Sequence, residues 1–252
     1  MFVDSHTHLL RLEVSPEAAV KGATEAGVLA VVNIGTDVDD SRKGAQLAAA
    51  VPNVYSSAGI HPHNAGTYTA TDLETLAEIS ESPGIVALGE VGLDYYRGDW
   101  SREIQRALFE DVISLANDTR LPLIIHSRDA FADTMAILGR ARVPIILHCF
   151  EGGEREAQEA YERGYYLGLA GNITYRNSRT AEILEMLDPE RLLVETDAPY
   201  LSPQEVRSKR NEPKYVVYTA RFIAARIGMG EGEFGILTSR NARNVFGLPL
   251  EV

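Results

Sequence analysis

The six histidines are the residues of this chain best suited to metal or acid–base chemistry. Each lies at the end of a predicted β-strand and none lies in a predicted helix: His6, His8, His61, His63, His126 and His148. His6 and His8 are two residues apart, so in an extended chain both imidazoles point to the same side. Two imidazoles on one face can share a divalent cation. The pair therefore predicts a metal site.

His126 and His148 give a second pair of candidate ligands. Each directly follows a short apolar run, Pro122–Ile125 and Val143–Leu147 respectively. If these runs are neighbouring strands, the two imidazoles occupy equivalent positions at the strand ends and together can bind one metal ion.

Carboxylates complete the candidate set. Glu90 follows the apolar run Ile85–Gly89, where an acid is costly unless a cation pairs with it. Arg97 is one possible partner, but a metal is favoured because the two carboxylate oxygens can bridge two ions. Near the end of another run, Glu195 and Asp197 share a side in an extended chain. We predict Asp197 as a ligand, and Glu195 as a residue that orients a ligand.

Eight short apolar runs separated by helical segments must position these residues. Their length and β-branched content are typical of strands buried on both faces; they are Phe2–Ser5, Val28–Ile34, Val54–Gly59, Ile85–Gly89, Pro122–Ile125, Val143–Leu147, Tyr165–Ala170 and Leu192–Glu195. Helices are predicted from Ser15 to Gly27 and at residues 71–80, 101–119, 130–138, 154–163 and 179–187. Two more helices are predicted within residues 212–246. Residues 97–100 are interpreted as a loop.

This alternation predicts an α/β protein with a (β/α)8 TIM barrel, one domain over residues 1–252 with one extra C-terminal helix. A doubly wound open sheet is the competing architecture. The barrel is favoured because the carboxyl ends of its strands meet on one face, where the polar residues described above would converge.

Composition excludes several classes of protein. The chain has 252 residues, 45% hydrophobic and 24% charged, which is ordinary for a globular protein. The lone Cys149 cannot form an intrachain disulfide. With 24 basic and 36 acidic residues the net charge is −12, which disfavours a general duplex-DNA binder. With neither an apolar run of membrane-spanning length nor a visible secretory signal, we expect a cytoplasmic protein that does not bind membranes, with a monomer as the default.

The absence of certain residues and motifs disfavours several classes of enzyme reaction. The four lysines are Lys21, Lys43, Lys209 and Lys214, and none directly follows one of the first seven strands. A Schiff-base aldolase and a site with a carboxylated bridging lysine are therefore disfavoured, which leaves Glu90 as the candidate bridge. Phosphate-binding glycine motifs and a nucleophile elbow are absent, and Cys149 is interpreted as a packing residue.

In their order along the chain these residues resemble the TatD family of metal-dependent deoxyribonucleases, within the amidohydrolase-like barrels. The segments that carry the resemblance span nearly the whole chain: DSHTHL, GIHPH, GEVGLDYYR, PLIIHSRDA, HCFEGG, ETDAPYLSP and RSKRNEP. The resemblance implies two divalent ions, Mg²⁺ or Mn²⁺, with Zn²⁺ or Ni²⁺ as possible occupants. It implies that His6, His8, Glu90 and Asp197 surround the first ion, and Glu90, His126 and His148 the second.

The resemblance also implies the reaction, hydrolysis of phosphodiester bonds in DNA by an exonuclease acting on single strands. His61 would lie beside the substrate phosphate. Two ions and two carboxylates leave a charge of +2, which suits a phosphate. Asp197 would accept a proton from a metal-bound water, and the resulting hydroxide would attack the phosphorus. Glu90 would act in catalysis by holding both ions.

Candidate contacts to the rest of the nucleic acid are basic and aromatic. Arg128, Lys209 and Arg210 are predicted to meet backbone phosphates. Five aromatic residues near strand ends are candidates for base stacking, with packing as the alternative role: Tyr95, Tyr96, Phe150, Tyr175 and Tyr200.

Two positions depart from the family pattern. Glu151 stands where a small polar residue is usual and adds negative charge near the phosphate site, and Ser208 replaces the usual glycine in RSKRNEP. The alternative functions are metal-dependent hydrolysis of a cyclic amide, a lactone or a D-aminoacyl-tRNA ester, or a binding barrel without catalysis.

Overall fold

The computed structural model describes residues 1–98 and 100–252; Asp99, in the predicted loop 97–100, lies outside the described residues. Eight strands form one sheet in the order β1 to β8: β1 (Phe2–Thr7), β2 (Val28–Asn33), β3 (Val54–Ala58), β4 (Ile85–Asp94), β5 (Leu123–Arg128), β6 (Ile145–Leu147), β7 (Tyr166–Leu169) and β8 (Leu192–Val194).

A helix follows every strand in the described part of the chain, and one more closes it. The helices are α1 (Pro16–Glu25), α2 (Val38–Ala50), α3 (Ala70–Ser80), α4 (Arg102–Thr119), α5 (Phe131–Leu138), α6 (Glu154–Glu162), α7 (Arg179–Glu182), α8 (Val216–Arg226) and α9 (Glu231–Phe246). This succession is that of the predicted (β/α)8 fold, and α9 is the predicted extra helix. Within the described ranges, no helix combines the length and apolar character that a membrane crossing requires.

The chain divides into two compact units, residues 1–33 with 149–252, and residues 34–148. In the first, β1 pairs in parallel with β2 and β7 with β8. A parallel bridge between Thr7 and Ala198 joins the end of β1 to the segment after β8. Helices α8 and α9 pack against β1 and β8. This unit therefore brings the ends of β1 and β8 together.

In the second unit, β3, β4, β5 and β6 pair in parallel in that order. Helix α4 packs along β4 with an apolar face that includes Leu108, Phe109 and Val112, all buried. Leu108 and Val112 are four residues apart, a spacing that places both on one face of a helix. The unit therefore aligns the carboxyl ends of four neighbouring strands.

Several elements differ from the sequence prediction: α2 has no predicted counterpart, and β1 and β5 continue past Ser5 and Ile125, so that His6 and His126 lie within strands. Strand β4 continues past the predicted end at Gly89, because Gly92 and Asp94 pair with His126 and Arg128 of β5, so Glu90 lies within the strand. The helix predicted at 179–187 is only α7, followed by a 3-10 turn at Leu184–Met186. There the carbonyl of Ala181 accepts a hydrogen bond from the Arg226 guanidinium, a long-range partner that local sequence does not reveal.

Gly59 sets the close approach of the segment after β3 to β4, directly beside Glu90. A Cβ on Gly59 would lie 2.3 Å from the carbonyl carbon of Gly89 and 2.6 Å from the Glu90 amide nitrogen. We expect Gly59→Ala to lower the free energy of unfolding by about 1–3 kcal/mol, because the backbones must separate. Chemical denaturation would measure this change.

Gly22 in α1 is the matched control for that substitution. A Cβ there would meet only the Lys214 side chain, at 3.7 Å, an ordinary contact. Gly22→Ala should instead raise the free energy of unfolding by about 0.5–1 kcal/mol, since alanine favours a helix interior. Equal effects of the two alanines would contradict the steric argument.

Candidate metal centre

The first unit brings His6, His8 and Asp197 together. His6 lies within β1 and His8 directly after it, while Asp197 follows β8. Two backbone hydrogen bonds hold the segments: the Asp197 amide donates to the His6 carbonyl, and the His8 amide to the Ala198 carbonyl, each at 2.8 Å. Oδ1 of Asp197 lies 3.6 Å from Nε2 of His6 and 3.3 Å from Nε2 of His8. Two imidazole nitrogens thus face one carboxylate oxygen, which gives three potential metal ligands.

Two further buried acids, Asp4 and Glu195, accept hydrogen bonds from residues adjacent to the metal-ligand candidates. The Asp4 carboxylate accepts hydrogen bonds from the amide and hydroxyl of Thr196, at 2.8 and 2.6 Å. Burial raises the pKa of Asp4 well above its usual value, against the effect of these bonds. Glu195 accepts a hydrogen bond from the Cys149 amide at 2.7 Å. Glu195 therefore fixes the residue next to His148, and its predicted role of orienting a ligand stays a prediction.

Cys149 is part of the packing around this group. Its side chain lies beside Asn172, whose amide is 3.4 Å from the sulfur. Burial, together with the neighbouring acids, raises the pKa of the thiol well above its usual value. A protonated thiol is a poor nucleophile, so the arrangement supports the interpretation of Cys149 as a packing residue.

The second unit gathers three imidazoles around one oxygen of Glu90. Its Oε1 lies 2.8 Å from Nδ1 of His126, 3.6 Å from Nε2 of His61 and 3.7 Å from Nε2 of His148. Glu90 is only 3% exposed, so this carboxylate is held among imidazoles away from bulk water. Its amide donates to the carbonyl of Gly35 at 2.9 Å, which anchors the backbone at this point of β4.

His61 differs from the other imidazoles in its protonation. Its Nδ1 accepts a hydrogen bond from the His63 amide at 3.1 Å, so in the neutral ring the proton lies on Nε2, which faces Glu90. Burial lowers the pKa of His61 to about 4, although Glu90 opposes the shift. His61 is therefore a neutral N–H donor, which suits a hydrogen bond to phosphate better than metal ligation.

Asp94 and His63 belong to the same cluster, although neither was predicted to hold a metal ion or to contact the substrate. Oδ2 of Asp94 lies 2.9 Å from Nε2 of His63 and 3.1 Å from Nε2 of His126. Burial disfavours the Asp94 carboxylate, but hydrogen bonds from His126, the Arg97 amide and His63 outweigh it and lower its pKa. Burial likewise opposes protonation of His126, yet its bonds to Asp94 and Glu90 raise its pKa. The signals in the sequence were the second histidine of HPH and the aspartate of GEVGLD.

The predicted substrate-binding arginines and lysine lie outside these clusters. Arg128 ends β5 with its guanidinium 4.0 Å from the centre of the Tyr96 ring, and Tyr96 is 64% exposed. Lys209 is exposed in a loop. Arg210 forms an exposed ion pair with Glu13 at 2.6 Å, which contributes little to stability and leaves the side chain accessible.

The other aromatic candidates differ in accessibility. Phe150 is buried, which favours packing, and Tyr200 is 47% exposed with its ring 5.9 Å from that of His8. The hydroxyls of Tyr95 and Tyr175 donate to Asp133 and to the Ser202 carbonyl. Of the two departures from the family pattern, Glu151 accepts a hydrogen bond from Asn172 and Ser208 is exposed.

The donor chemistry of both groups fits divalent cations. Imidazole nitrogens mixed with carboxylate oxygens suit Zn²⁺, Mn²⁺ and related ions, and Oε1 of Glu90 lies 2.8 Å from Nδ1 of His126 and 3.7 Å from Nε2 of His148. His126 also has the carboxylate partner on its second ring nitrogen that metal-binding histidines usually have. His and Glu side chains are therefore positioned to bind a metal ion.

Comparison with known proteins agrees with this chemistry. The family model described as TatD related DNase matches residues 3–247. An uncharacterized metal-dependent hydrolase of Bacillus subtilis strain 168, YabD, is 35% identical over 98% of this chain and 99% of its own length. A 3'-5' ssDNA/RNA exonuclease, TatD of Citrobacter rodentium strain ICC168, is 34% identical, with 93% of each chain covered.

A solved structure shows the same fold. YJJV, a TatD homologue of Escherichia coli K12, superimposes with a TM-score of 0.93 and 28% identity, covering 98% of both chains. The sequence resemblance is thus confirmed over nearly the whole chain. The chain belongs to the family of TatD-related DNases, and it is by family a hydrolase of ester bonds with the (β/α)8 TIM-barrel fold.

Proposed function

We propose that this protein hydrolyses phosphodiester bonds of single-stranded DNA, as an exonuclease that uses two divalent metal ions. The observation that carries the proposal is the convergence of three imidazole nitrogens within 3.7 Å of one Glu90 oxygen. The relatives named as exonucleases and as a metal-dependent hydrolase support it.

The ligands of the proposed centre are those that the family resemblance implies for the predicted single domain 1–252. His6, His8, Asp197 and Glu90 would hold one ion, and Glu90, His126 and His148 the other. His148 is followed directly by Cys149, whose amide donates a hydrogen bond to Glu195. Two ions contribute +4 and two carboxylates −2, so the ligand set carries +2 within a chain of net charge −12. A positive centre of this kind attracts a phosphodiester.

Each residue around the proposed centre would have a separate role in the reaction. When bound, the divalent ions supply Lewis acidity, which lowers the pKa of water and stabilises negative charge on phosphate oxygens. Asp197 would accept a proton from the attacking water. The Nε2–H of His61 would donate to a phosphate oxygen, since Nδ1 is engaged by the His63 amide. Arg128, Lys209 and Arg210 would meet phosphates farther along the strand.

Activity should depend on an added divalent ion. We expect treatment with EDTA to abolish cleavage of a labelled single-stranded DNA, and Mg²⁺ or Mn²⁺ to restore it, with Zn²⁺ as a third ion to compare. His126→Ala should remain inactive under every ion. Shortening of the strand measured on a denaturing gel, with the label at either end, reports activity and polarity together.

The same experiment also tests the alternative substrates. A labelled RNA, a dihydrouracil-like cyclic amide, an aryl lactone and a D-aminoacyl-tRNA would each be offered to the metal-loaded protein. Cleavage of one of the last three with no cleavage of either nucleic acid strand would refute the nuclease proposal while retaining the metal centre. A monomeric state and a cytoplasmic location stay predictions.

A further inference from the structure

The buried carboxylate of Asp94 contacts the ring nitrogen of His126 that faces away from Glu90. We propose that Asp94 is a positioning residue of the metal centre: it accepts the Nε2–H of His126 and thereby turns the Nδ1 lone pair toward the side of Glu90. The inference rests on the proposed metal centre, but not on DNA being the substrate.

Asp94 is anchored on both its backbone and its side chain. Gln105 accepts a hydrogen bond from the Asp94 amide at 2.8 Å and donates one to the Asp94 carbonyl at 3.0 Å. Oδ1 of Asp94 accepts from the amides of Tyr96 and Arg97, each at 3.0 Å. Asp94 and Gln105 are 1% and 2% exposed. The carboxylate therefore has no freedom to rotate toward solvent.

The remaining oxygen of Asp94 sets the proton position on His126. Oδ2 lies 3.1 Å from Nε2 of His126, while Nδ1 of the same ring lies 2.8 Å from Oε1 of Glu90. An ionised carboxylate only accepts hydrogen bonds, so each ring nitrogen carries a proton while no cation is bound, and a cation held by Glu90 would replace only the proton on Nδ1. In a ring that binds a cation, the other nitrogen then supplies the lone pair, which is Nδ1.

His63 supplies a second N–H to the same oxygen. Its Nε2 lies 2.9 Å from Oδ2 of Asp94, and the Trp100 indole donates to its carbonyl at 2.8 Å. The Trp100 carbonyl in turn accepts from Gln105 at 3.1 Å. The loop after β3, the end of β4 and the start of α4 are thus joined through Asp94. A metal centre built on β4 and β5 gains a rigid support from this network.

The unsubstituted protein provides the first test. Long-range ¹H–¹⁵N correlation spectra of histidine-labelled, Zn²⁺-loaded protein report which nitrogen of each ring is protonated, and His126→Gln assigns the His126 signals. The expected result is a proton on Nε2 and none on Nδ1. A proton on Nδ1 with Nε2 unprotonated overturns the proposal, and this measurement does not depend on a variant that folds.

Asp94→Asn gives the second test. Its amide can donate to Nε2 of His126, which would force the proton to Nδ1. The dissociation constant for Zn²⁺, measured by calorimetry, should rise about 10–100-fold, as is usual for loss of a carboxylate behind a metal-binding histidine. The spectrum of His126 should change with it. An unchanged dissociation constant together with an unchanged spectrum overturns the proposal.

Asp133→Asn is the matched control for this substitution. Asp133 lies in the same unit and accepts from the Tyr95 hydroxyl at 2.8 Å and from Arg106 at 3.4 Å. It should leave Zn²⁺ binding unchanged. Absence of Zn²⁺ binding by the unsubstituted protein would overturn the metal centre itself, and a protein that binds Zn²⁺ without cleaving DNA would refute only the substrate.

Discussion

Glu90→Gln should reduce kcat for DNA cleavage by about 10³-fold or more, because losing a bound cation removes several kcal/mol of transition-state stabilisation and each ~1.4 kcal/mol is a factor of ten. The position of the Glu90 carboxylate in the structure is the reason for expecting a large effect. Oε1 of Glu90 is the oxygen that three imidazoles approach within 3.7 Å. Glutamine keeps the shape of the side chain but removes its charge and its ability to bridge two ions.

The measurement is single-turnover cleavage of a labelled strand at saturating Mn²⁺, together with the number of ions bound per chain. Glu110→Gln is the control, since Glu110 lies on α4 and pairs with Arg140 at 2.7 Å. That variant should cleave at the unsubstituted rate. If Glu90→Gln binds two ions and retains full turnover, Glu90 does not bridge the metals.

Asp197→Asn should lower kcat by about 10²–10³-fold, since the residue is proposed both to ligate a cation and to accept the proton of the attacking water. Asp197 is 13% exposed on its side chain, and its Oδ1 faces Nε2 of both His6 and His8. The fold should survive the change. Asp197 has a φ of 53°, a left-handed conformation that asparagine tolerates better than most residues.

Thermal unfolding without metal would verify that the Asp197→Asn variant is folded, and kcat would be followed across Mn²⁺ concentration. If a higher Mn²⁺ concentration restores full turnover, Asp197 serves only as a ligand and the proton acceptor lies elsewhere. Asp188→Asn is the control. Asp188 caps a 3-10 turn through a hydrogen bond from the Glu190 amide.

Much of the fold is readable from local sequence. Short β-branched runs such as Val28–Asn33 and Ile145–Leu147 are strands in the structure because apolar residues buried on both faces leave a continuous pattern. A histidine or an acid that interrupts such a run stands out from it, although Glu90 and His126 lie within their strands rather than at the predicted ends. This is why His6, Glu90, His126, His148 and Asp197 could be singled out as ligand candidates without coordinates.

Other features follow only from contacts across the chain. The early end of α7 depends on Arg226, and the exposed pairing of Arg210 depends on Glu13. Neither partner is close in sequence, and nothing in the local pattern identifies it. Likewise, the burial that keeps the Cys149 thiol protonated comes from its surroundings in the folded unit rather than from its neighbours in the chain.

The sequence by itself determined which residue types stand at the ends of the strands, and therefore the chemistry available: imidazoles and carboxylates suited to a divalent cation. Only the tertiary structure decided how each ring is oriented and protonated. The His63 amide sets the proton of His61, and Asp94, held by Gln105, faces His126. The approximate position of each strand follows from hydrophobic periodicity, a local property, whereas hydrogen-bond direction depends on backbone angles and on loops that meet only after folding.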